Sequence, residues 1–138
     1  MLTTHLLHPT ILQVLAASGH GGKVLIADGN YPFVTRANPN AERVYLNLVP
    51  GVLTVTDVLA AILTVIPIEA AHVMLTDDGT EPDIYTDFRQ MLTVELQPMQ
   101  RYDFYDFAHD PDLALVVATA EQRLYANIIL TIGVVPPD

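Results

Sequence analysis

The sequence has 138 residues, of which 51% are hydrophobic and 16% charged, and it carries a formal net charge of −10 with only six Lys and Arg. Phosphate backbones bind clustered basic residues, so this balance argues against a nucleic-acid partner. The chain has no cysteine, which excludes disulfides, thiolate metal sites and cysteine nucleophiles. So few charges would cover the surface of a monomer poorly, which favours a homo-oligomer.

The length fits a single domain over residues 1–138. The opening segment "MLTTHLLHPTILQVL" has no basic region ahead of its apolar residues and contains Pro9, so it is unlike a signal peptide. No apolar run reaches the ~18 residues that a membrane helix needs. We therefore expect a soluble, cytoplasmic protein with no membrane partner.

The first half of the chain predicts two helices and two strands. A helix begins at Pro9 and ends at Gly19, because proline suits a first helical position and glycine ends a helix. "KVLIAD" is a short apolar strand, buried on both faces. After a loop rich in proline and asparagine, "RVYLNLV" is a second strand candidate. "TVTDVLAAILTVIP" then predicts a helix with Thr56 or Asp57 as its N-cap.

The second half continues the alternation of strands and helices. The predicted elements are a strand in "AAHVMLT", a helix from Ile84 to Leu92, a short strand or connector in "VELQPM", a short helix in "YDFYDFAHD", and strands in "LALVVATA" and "YANIILTIGVV". Such alternation predicts an α/β fold with a mostly parallel central sheet flanked by helices. Ligands gather where the strands of such sheets end in loops, and Asp28 follows the first strand.

His20 and Asp28 stand at the two ends of the first predicted strand. His20 lies beside three glycines, which permit tight turns and close approach to a ligand. A histidine exchanges protons near neutral pH, and a carboxylate can orient it or bind a hydroxyl. A structural interpretation also exists, since "DGN" is a common turn and a lone loop histidine is commonly a surface residue. His5 and His8 are three apart with no third ligand nearby, so we expect no metal.

Two polar stretches in the second half are further candidates. Arg101 opens the aromatic segment "RYDFYDF", which fits either a packed helix with an Arg–Asp pair or a platform for a sugar or carboxylate. Tyr125 and Asn127 in "LYANIIL" would point to one face of a strand, because side chains alternate. Burying Asn127 among isoleucines is costly without a partner, and a ligand could be that partner.

Three segments together resemble a known family: "GHGGKVLIADGNYP", "RYDFY" and "TAEQRLYANIILTIGVV" are similar, in order and approximate spacing, to the RbsD/FucU family of L-fucose mutarotases and D-ribose pyranases. The resemblance covers nearly the whole chain. It implies an α/β fold, no cofactor and no metal. It also implies an enzyme that interconverts the ring forms of a free monosaccharide, with homo-oligomers, ring-shaped decamers in bacterial members, and sites at subunit contacts.

The resemblance also assigns roles to individual residues. It implies that His20 transfers the proton. The chemistry of ring opening adds a role for Tyr125, which would donate or accept the second proton or hold the ring oxygen. The substrate-binding residues that it implies are Asp28, Arg101, Tyr125, Ala126 through its backbone, and Asn127.

The resemblance leaves the substrate open between the two branches. Arg101 favours the fucose branch, because ribose pyranases tend to carry histidine there, whereas Ala126 stands where fucose mutarotases usually have glycine. The leading interpretation is a mutarotase for L-fucose or a similar sugar. The alternatives are a D-ribose pyranase and a sugar-binding oligomer without turnover.

Overall fold

The computed structural model describes all residues from 1 to 138. Four helices and six strands follow one another along the chain. In order they are α1 Pro9–Ser18, β1 Lys23–Ala27, β2 Glu42–Tyr45, α2 Val55–Ile62, β3 Ile68–Met74, α3 Ile84–Met91, β4 Leu96–Met99, α4 Arg101–Phe107, β5 Leu113–Ala118 and β6 Ile128–Ile132. None of the helices is long and apolar enough to cross a bilayer.

All six strands form one sheet in the order β2-β5-β1-β6-β3-β4. β6 runs antiparallel to both of its neighbours, β1 and β3, while the other three pairings are parallel. The predicted α/β fold with a mostly parallel sheet is confirmed. Because β6 alone is reversed, its first residue lies at the edge where the other strands end, and its last residue lies where they begin.

The core lies on both faces of this sheet. Along β1, Val24 and Ile26 belong to a cluster of 21 buried residues that includes side chains of α1, α2 and α3. Leu25 and Ala27 point the other way, into a cluster of 11 buried residues that includes Phe104 of α4. Side chains alternate along a strand, so a strand that is apolar throughout must be covered on both sides. The predicted double burial of "KVLIAD" is thus confirmed.

Helix ends follow local hydrogen bonding. α1 begins at Pro9 and is closed by Gly19 at φ 70°, as predicted. The N-cap of α2 is Thr54, so the prediction of Thr56 or Asp57 was wrong. Thr54 Oγ1 accepts from Asp57 N at 3.2 Å, and the Asp57 carboxylate accepts from Thr54 N at 3.0 Å. This reciprocal pair satisfies two backbone donors at the helix start, which neither later residue can do.

Two strands are shorter than their apolar sequence predicted. β2 ends at Tyr45 rather than running through Val49, because the following residues fold into a turn in which Leu48 N donates to Val52 O. β6 begins at Ile128, and Tyr125 before it has φ 58°. The left-handed conformation at Tyr125 ends strand geometry there. The expectation that Tyr125 and Asn127 share the face of a strand was therefore wrong.

Candidate functional site

A small cavity of about 170 Å³ opens at the edge where the parallel strands end. Its lining includes Asp28 after β1, Arg101 at the start of α4, and Tyr125 and Asn127 before β6. Four residues separated by up to 99 positions thus meet at one place. Typical ligand pockets hold roughly 300–1,000 Å³, so this one suits only a small polar molecule.

Asp28 and Asn127 are the most enclosed polar residues of this cavity, each with 3% of the residue exposed. Asp28 is fixed by several hydrogen bonds. Its Oδ2 accepts from the backbone N–H of Ala126 at 3.1 Å and from Asn127 Nδ2 at 3.2 Å, and its Oδ1 accepts from Asn30 N at 2.9 Å. Its own backbone N–H donates to Asn127 Oδ1 at 2.7 Å. These bonds fix the carboxylate in one orientation at the cavity wall.

Burial is the main influence on the acidity of Asp28. It raises the pKa of the carboxyl above the ordinary value of 3.8, although the hydrogen bonds from Asn30, Ala126 and Asn127 act to lower it. A desolvated carboxylate gains more from each additional donor than one in water does. The hydroxyl groups of a polyol are suitable donors.

Asn127 is buried among apolar residues and finds its hydrogen-bond partner, Asp28, within the chain. The amide exchanges hydrogen bonds with Asp28, and Nδ2 also lies 3.8 Å from Met74 Sδ. The cost of burying Asn127 among apolar residues is offset within the chain, without a ligand. Ala126 likewise donates its N–H to Asp28.

Arg101 is held at the cavity by a residue that sequence reasoning missed. Its Nη2 lies 3.2 Å from Asp77 Oδ1 and 3.3 Å from Oδ2. Asp77 follows β3 and Arg101 follows β4, two adjacent parallel strands, so both lie at the same edge of the sheet. The sequence alone did not reveal that β3 pairs with β4, so it did not predict the contact between Asp77 and Arg101. Arg101 Nε is buried and has no hydrogen-bond partner.

Two tyrosines that were not predicted as site residues line the same cavity. The rings of Tyr31 and Tyr105 meet edge to face with centroids 5.5 Å apart, and the guanidinium of Arg36 lies 5.4 Å from the Tyr105 ring. Burial raises the pKa of both phenols above the ordinary value of 10.0. Both therefore stay neutral near physiological pH and offer an aromatic wall of the kind on which an apolar sugar face packs.

Tyr125 lines the cavity from a strained backbone. A tyrosine at φ 58° is uncommon, because the Cβ atom crowds the neighbouring carbonyl in the left-handed region. Such residues persist where surrounding contacts determine the conformation, and they cluster at functional sites. The next two residues, Ala126 and Asn127, both donate hydrogen bonds to Asp28. These bonds fix the backbone that follows Tyr125.

His20 lies at the opposite edge of the sheet from this cavity. It precedes β1 whereas Asp28 follows it, and the five residues of β1 span about 16 Å at ~3.3 Å each. The flanking Gly19 and Gly21 have φ 70° and 83°, and Gly21 N donates to Ile132 O at 2.9 Å. The side chain is 59% exposed, and its Nε2 contacts Glu69 at 3.0 Å. One chain therefore does not bring His20 to Asp28.

A second, larger cavity of about 460 Å³ adjoins the first and shares Asn30 with it. Its wall includes Leu48, which is 80% exposed, while Leu124 at the first cavity is 61% exposed. Two large apolar side chains thus stand in solvent beside the polar site. No group of three or more His, Cys, Asp or Glu side chains is placed to hold a metal ion.

Comparison with known proteins agrees with this architecture. The family model described as the RbsD / FucU transport protein family matches residues 1–135. The chain belongs to this family. The match spans nearly the whole sequence, so it includes both the cavity residues and His20 at the opposite edge of the sheet.

Individual members of the RbsD / FucU family resemble the chain over nearly all of its length. A fucose mutarotase from Danio rerio is 33% identical, covering 96% of this chain and 92% of its own length. A D-ribose pyranase from Paracidovorax citrulli is also 33% identical, covering 97% and 98%. The crystal structure of the fucose mutarotase from Streptococcus pneumoniae in complex with L-fucose superposes with a TM-score of 0.80 at 30% identity, covering 94% of each chain.

Proposed function

We propose that this protein is a monosaccharide mutarotase that interconverts the ring forms of L-fucose or a similar sugar without a cofactor. The observation that carries the proposal is the buried Asp28, fixed by Asn127 and Ala126 at the wall of a cavity of about 170 Å³. The fucose mutarotase and D-ribose pyranase relatives, each 33% identical, supply the reaction class, which is isomerisation.

Ring opening requires two proton transfers and no co-reactant. The anomeric hydroxyl loses its proton as C1=O1 forms, the C1–O5 bond breaks, and O5 takes a proton. Rotation about C1–C2 and closure on the other face then give the other anomer. One group that exchanges protons near neutral pH serves both transfers. In the proposal this group is His20, while Tyr125 holds the ring oxygen or carries the second proton.

The other residues of the cavity bind the sugar in this proposal. Asp28 accepts from sugar hydroxyls, and Arg101 donates to a ring substituent. Asn127 and the backbone of Ala126 keep the Asp28 carboxylate in position and line the site. Tyr31 and Tyr105 cover an apolar face of the ring.

The proton-transferring residue comes from a neighbouring subunit in this proposal. The support is that β1 separates His20 from Asp28, that His20 is 59% exposed, and that Leu48 and Leu124 present apolar surface beside the cavity. A contact between the two edges of adjacent sheets would bury these leucines and complete the site. The protein would then act as a cytoplasmic homo-oligomer, with a ring-shaped decamer as the specific form.

D-Ribose is the alternative substrate within the same reaction class. The observation that favours it is Ala126, together with a D-ribose pyranase relative as similar as the fucose mutarotase. Arg101 favours L-fucose. A sugar-binding oligomer without turnover is the alternative from another class.

The test of function is NMR saturation transfer between anomers of L-fucose, D-ribose, D-galactose and L-rhamnose, with and without protein. Protein-dependent exchange for one sugar supports the mutarotase and names its substrate. Exchange at the buffer rate for all four sugars rejects it. Retained sugar affinity would in that case favour the binding protein.

The test of the shared site uses His20→Ala and Asp28→Asn, each of which is expected to lose most of the protein-dependent rate when it is assayed alone. Randomly mixed in equal amounts, the two variants form about a quarter of their contacts from one intact His20 and one intact Asp28. Recovery of a corresponding fraction of the rate is expected. No recovery in assemblies that native mass spectrometry proves to be mixed would contradict a site built from two subunits.

A further inference from the structure

Glu69 holds the imidazole of His20 from a different strand. His20 Nε2 lies 3.0 Å from Glu69 Oε2 and 3.2 Å from Oε1, so the ring nitrogen faces both carboxylate oxygens. The two residues are 49 positions apart in the sequence. Of the five histidines, His20 alone contacts a carboxylate through a ring nitrogen. Its Nδ1 has no hydrogen-bond partner within the chain.

A bulge in β3 directs the Glu69 side chain towards His20. The β3–β6 register pairs Ile68 with Ile132 and Ala70 with Thr131, so Glu69 between them is the extra residue of a bulge. Bulges redirect side chains and are frequent beside active sites. Gly133, the residue after β6, neighbours Glu69, because a Cβ added to it would lie 3.4 Å from Glu69 Cβ, in ordinary van der Waals contact.

β6 connects the two partners physically. Ile132 at its end accepts a hydrogen bond from Gly21, the residue after His20, and pairs with Ile68, the residue before Glu69. Neighbouring strands lie about 4.8 Å apart, so β1 and β3 on either side of β6 are about 10 Å apart. The His20 and Glu69 side chains close this gap over the end of β6.

We propose that Glu69 is a positioning residue for proton transfer by His20; this inference rests on the proposed function. The carboxylate accepts the Nε2–H, which leaves the Nδ1 lone pair to take the anomeric proton and return it to the ring oxygen. It also stabilises the imidazolium that exists between the two transfers. A carboxylate behind an imidazole fixes both its tautomer and its direction.

The competing interpretation is an exposed contact between His20 and Glu69 that has no part in catalysis. Exposed pairs contribute little to folding, so stability measurements alone do not separate the two interpretations. Rate measurements do separate them, because Glu69 lies at the sheet edge away from Asp28 and from the proposed sugar contacts of its own chain. A positioning residue changes the rate at saturating sugar, leaves sugar affinity intact, and has no effect once His20 is absent.

The experiment is a double-mutant cycle with Glu69→Gln, His20→Ala and the combined variant, followed by saturation transfer at saturating sugar. Glu69→Gln is expected to lower the protein-dependent rate about tenfold, a part of the 10²–10⁴ that general acid–base catalysis supplies. In the His20→Ala background it is expected to change nothing. Glu81→Gln is the matched control, because Glu81 pairs with Arg89 in an equally exposed contact and should retain the full rate.

Imidazole ¹⁵N shifts of His20 provide a readout independent of rate. The neutral ring is expected to carry its proton on Nε2 in the wild type and to populate both tautomers in Glu69→Gln. Glu69→Asp, which keeps a carboxylate on a shorter stem, should recover part of the rate, and light scattering and circular dichroism check assembly and folding of every variant.

The outcomes separate the inference from the proposed function. A wild-type protein without exchange for any sugar overturns both. An active wild type with Glu69→Gln at the full rate overturns the inference alone, as does an equal loss in the presence and absence of His20. Full activity of His20→Ala overturns the role of His20 and, with it, that of Glu69.

Discussion

Asp28 and Asn127 are joined by hydrogen bonds in both directions. The Asp28 backbone N–H donates to Asn127 Oδ1 at 2.7 Å, and Asn127 Nδ2 donates to the Asp28 carboxylate at 3.2 Å. The first bond ties the end of β1 to the residue before β6, and the second orients the acid. Asn127 therefore supports both the fold and the site.

Asn127→Ala tests this double role. The substitution leaves the buried Asp28 N–H without an acceptor, which is expected to lower the free energy of unfolding by about 1–3 kcal/mol in chemical denaturation. Asn47→Ala, at an exposed asparagine of the adjoining cavity, is the control and should stay within about 0.5 kcal/mol of the wild type. Equal stability of the two variants would argue against the Asp28–Asn127 pair.

The raised pKa of Asp28 predicts a pH dependence of sugar binding. In the proposed site, ionised Asp28 accepts hydrogen bonds from sugar hydroxyls, so sugar affinity should weaken as the pH falls through a value above the ordinary 3.8. Titrations of the sugar at several pH values would measure this change. Asp28→Asn should bind more weakly and lose the dependence, and an unchanged pH profile in that variant would assign it to another group.

The same pKa shift affects folding, with a definite sign. The native state retains the Asp28 proton at pH values where the unfolded chain has lost it. Ionisation of Asp28 therefore lowers the free energy of unfolding as the pH rises from the unfolded pKa to the raised native one. The difference in stability between wild type and Asp28→Asn should vary in that window and be constant above it.

The backbone of Tyr125 predicts an inverted order of two substitutions. Tyr125→Ala and Tyr125→Gly both remove the ring, but alanine keeps the Cβ strain at φ 58° and glycine does not. Tyr125→Gly should be more stable than Tyr125→Ala by about 1 kcal/mol, the reverse of the usual order in strands and helices. Thermal unfolding of the pair measures the difference. A less stable glycine variant would contradict the left-handed conformation.

Arg101 predicts a change of substrate preference. A guanidinium presents five donors and an imidazole at most two, on a shorter side chain. Arg101→His should lower protein-dependent exchange of L-fucose about tenfold, the scale of one charged hydrogen bond, and should lower D-ribose exchange less. Saturation transfer on both sugars gives the ratio. An equal effect on the two would leave Arg101 without a part in selectivity.

The capping box of α2 predicts a loss of stability without loss of function. Thr54→Ala removes the acceptor for Asp57 N and should cost about 1 kcal/mol. Thr54 does not line the cavity that contains Asp28, so exchange per folded subunit should be unchanged. Chemical denaturation measures the loss of stability, and saturation transfer on the same sample measures exchange. Reduced exchange in the folded variant would contradict the expectation of unchanged activity.

Local patterns predicted the elements well, because proline, glycine and apolar runs act over a few residues. α1, β1 and α3 begin and end close to where their sequences predicted. The errors came from backbone detail that no pattern encodes. The reciprocal Thr54–Asp57 bonds moved the start of α2, and the left-handed Tyr125 shortened β6.

The sequence predicted four residues that share one cavity, but it did not predict how they meet there. Four predicted residues share a cavity because β6 enters the sheet between β1 and β3, which the resemblance in sequence did not state. Asp77 and Glu69 were missed for a related reason. Each meets its partner through strand order, and each is an ordinary surface acid when only its neighbours in sequence are considered.

The reversed β6 has a consequence for how activity depends on concentration. It begins beside Asp28 and ends beside the His20 turn, so in the shared-site proposal every subunit carries two half-sites that face away from each other. Dilution that separates the subunits would then abolish the activity of chains that are intact and fully folded. Specific activity would therefore rise with protein concentration as subunits associate, because only the contact between two chains forms a complete site.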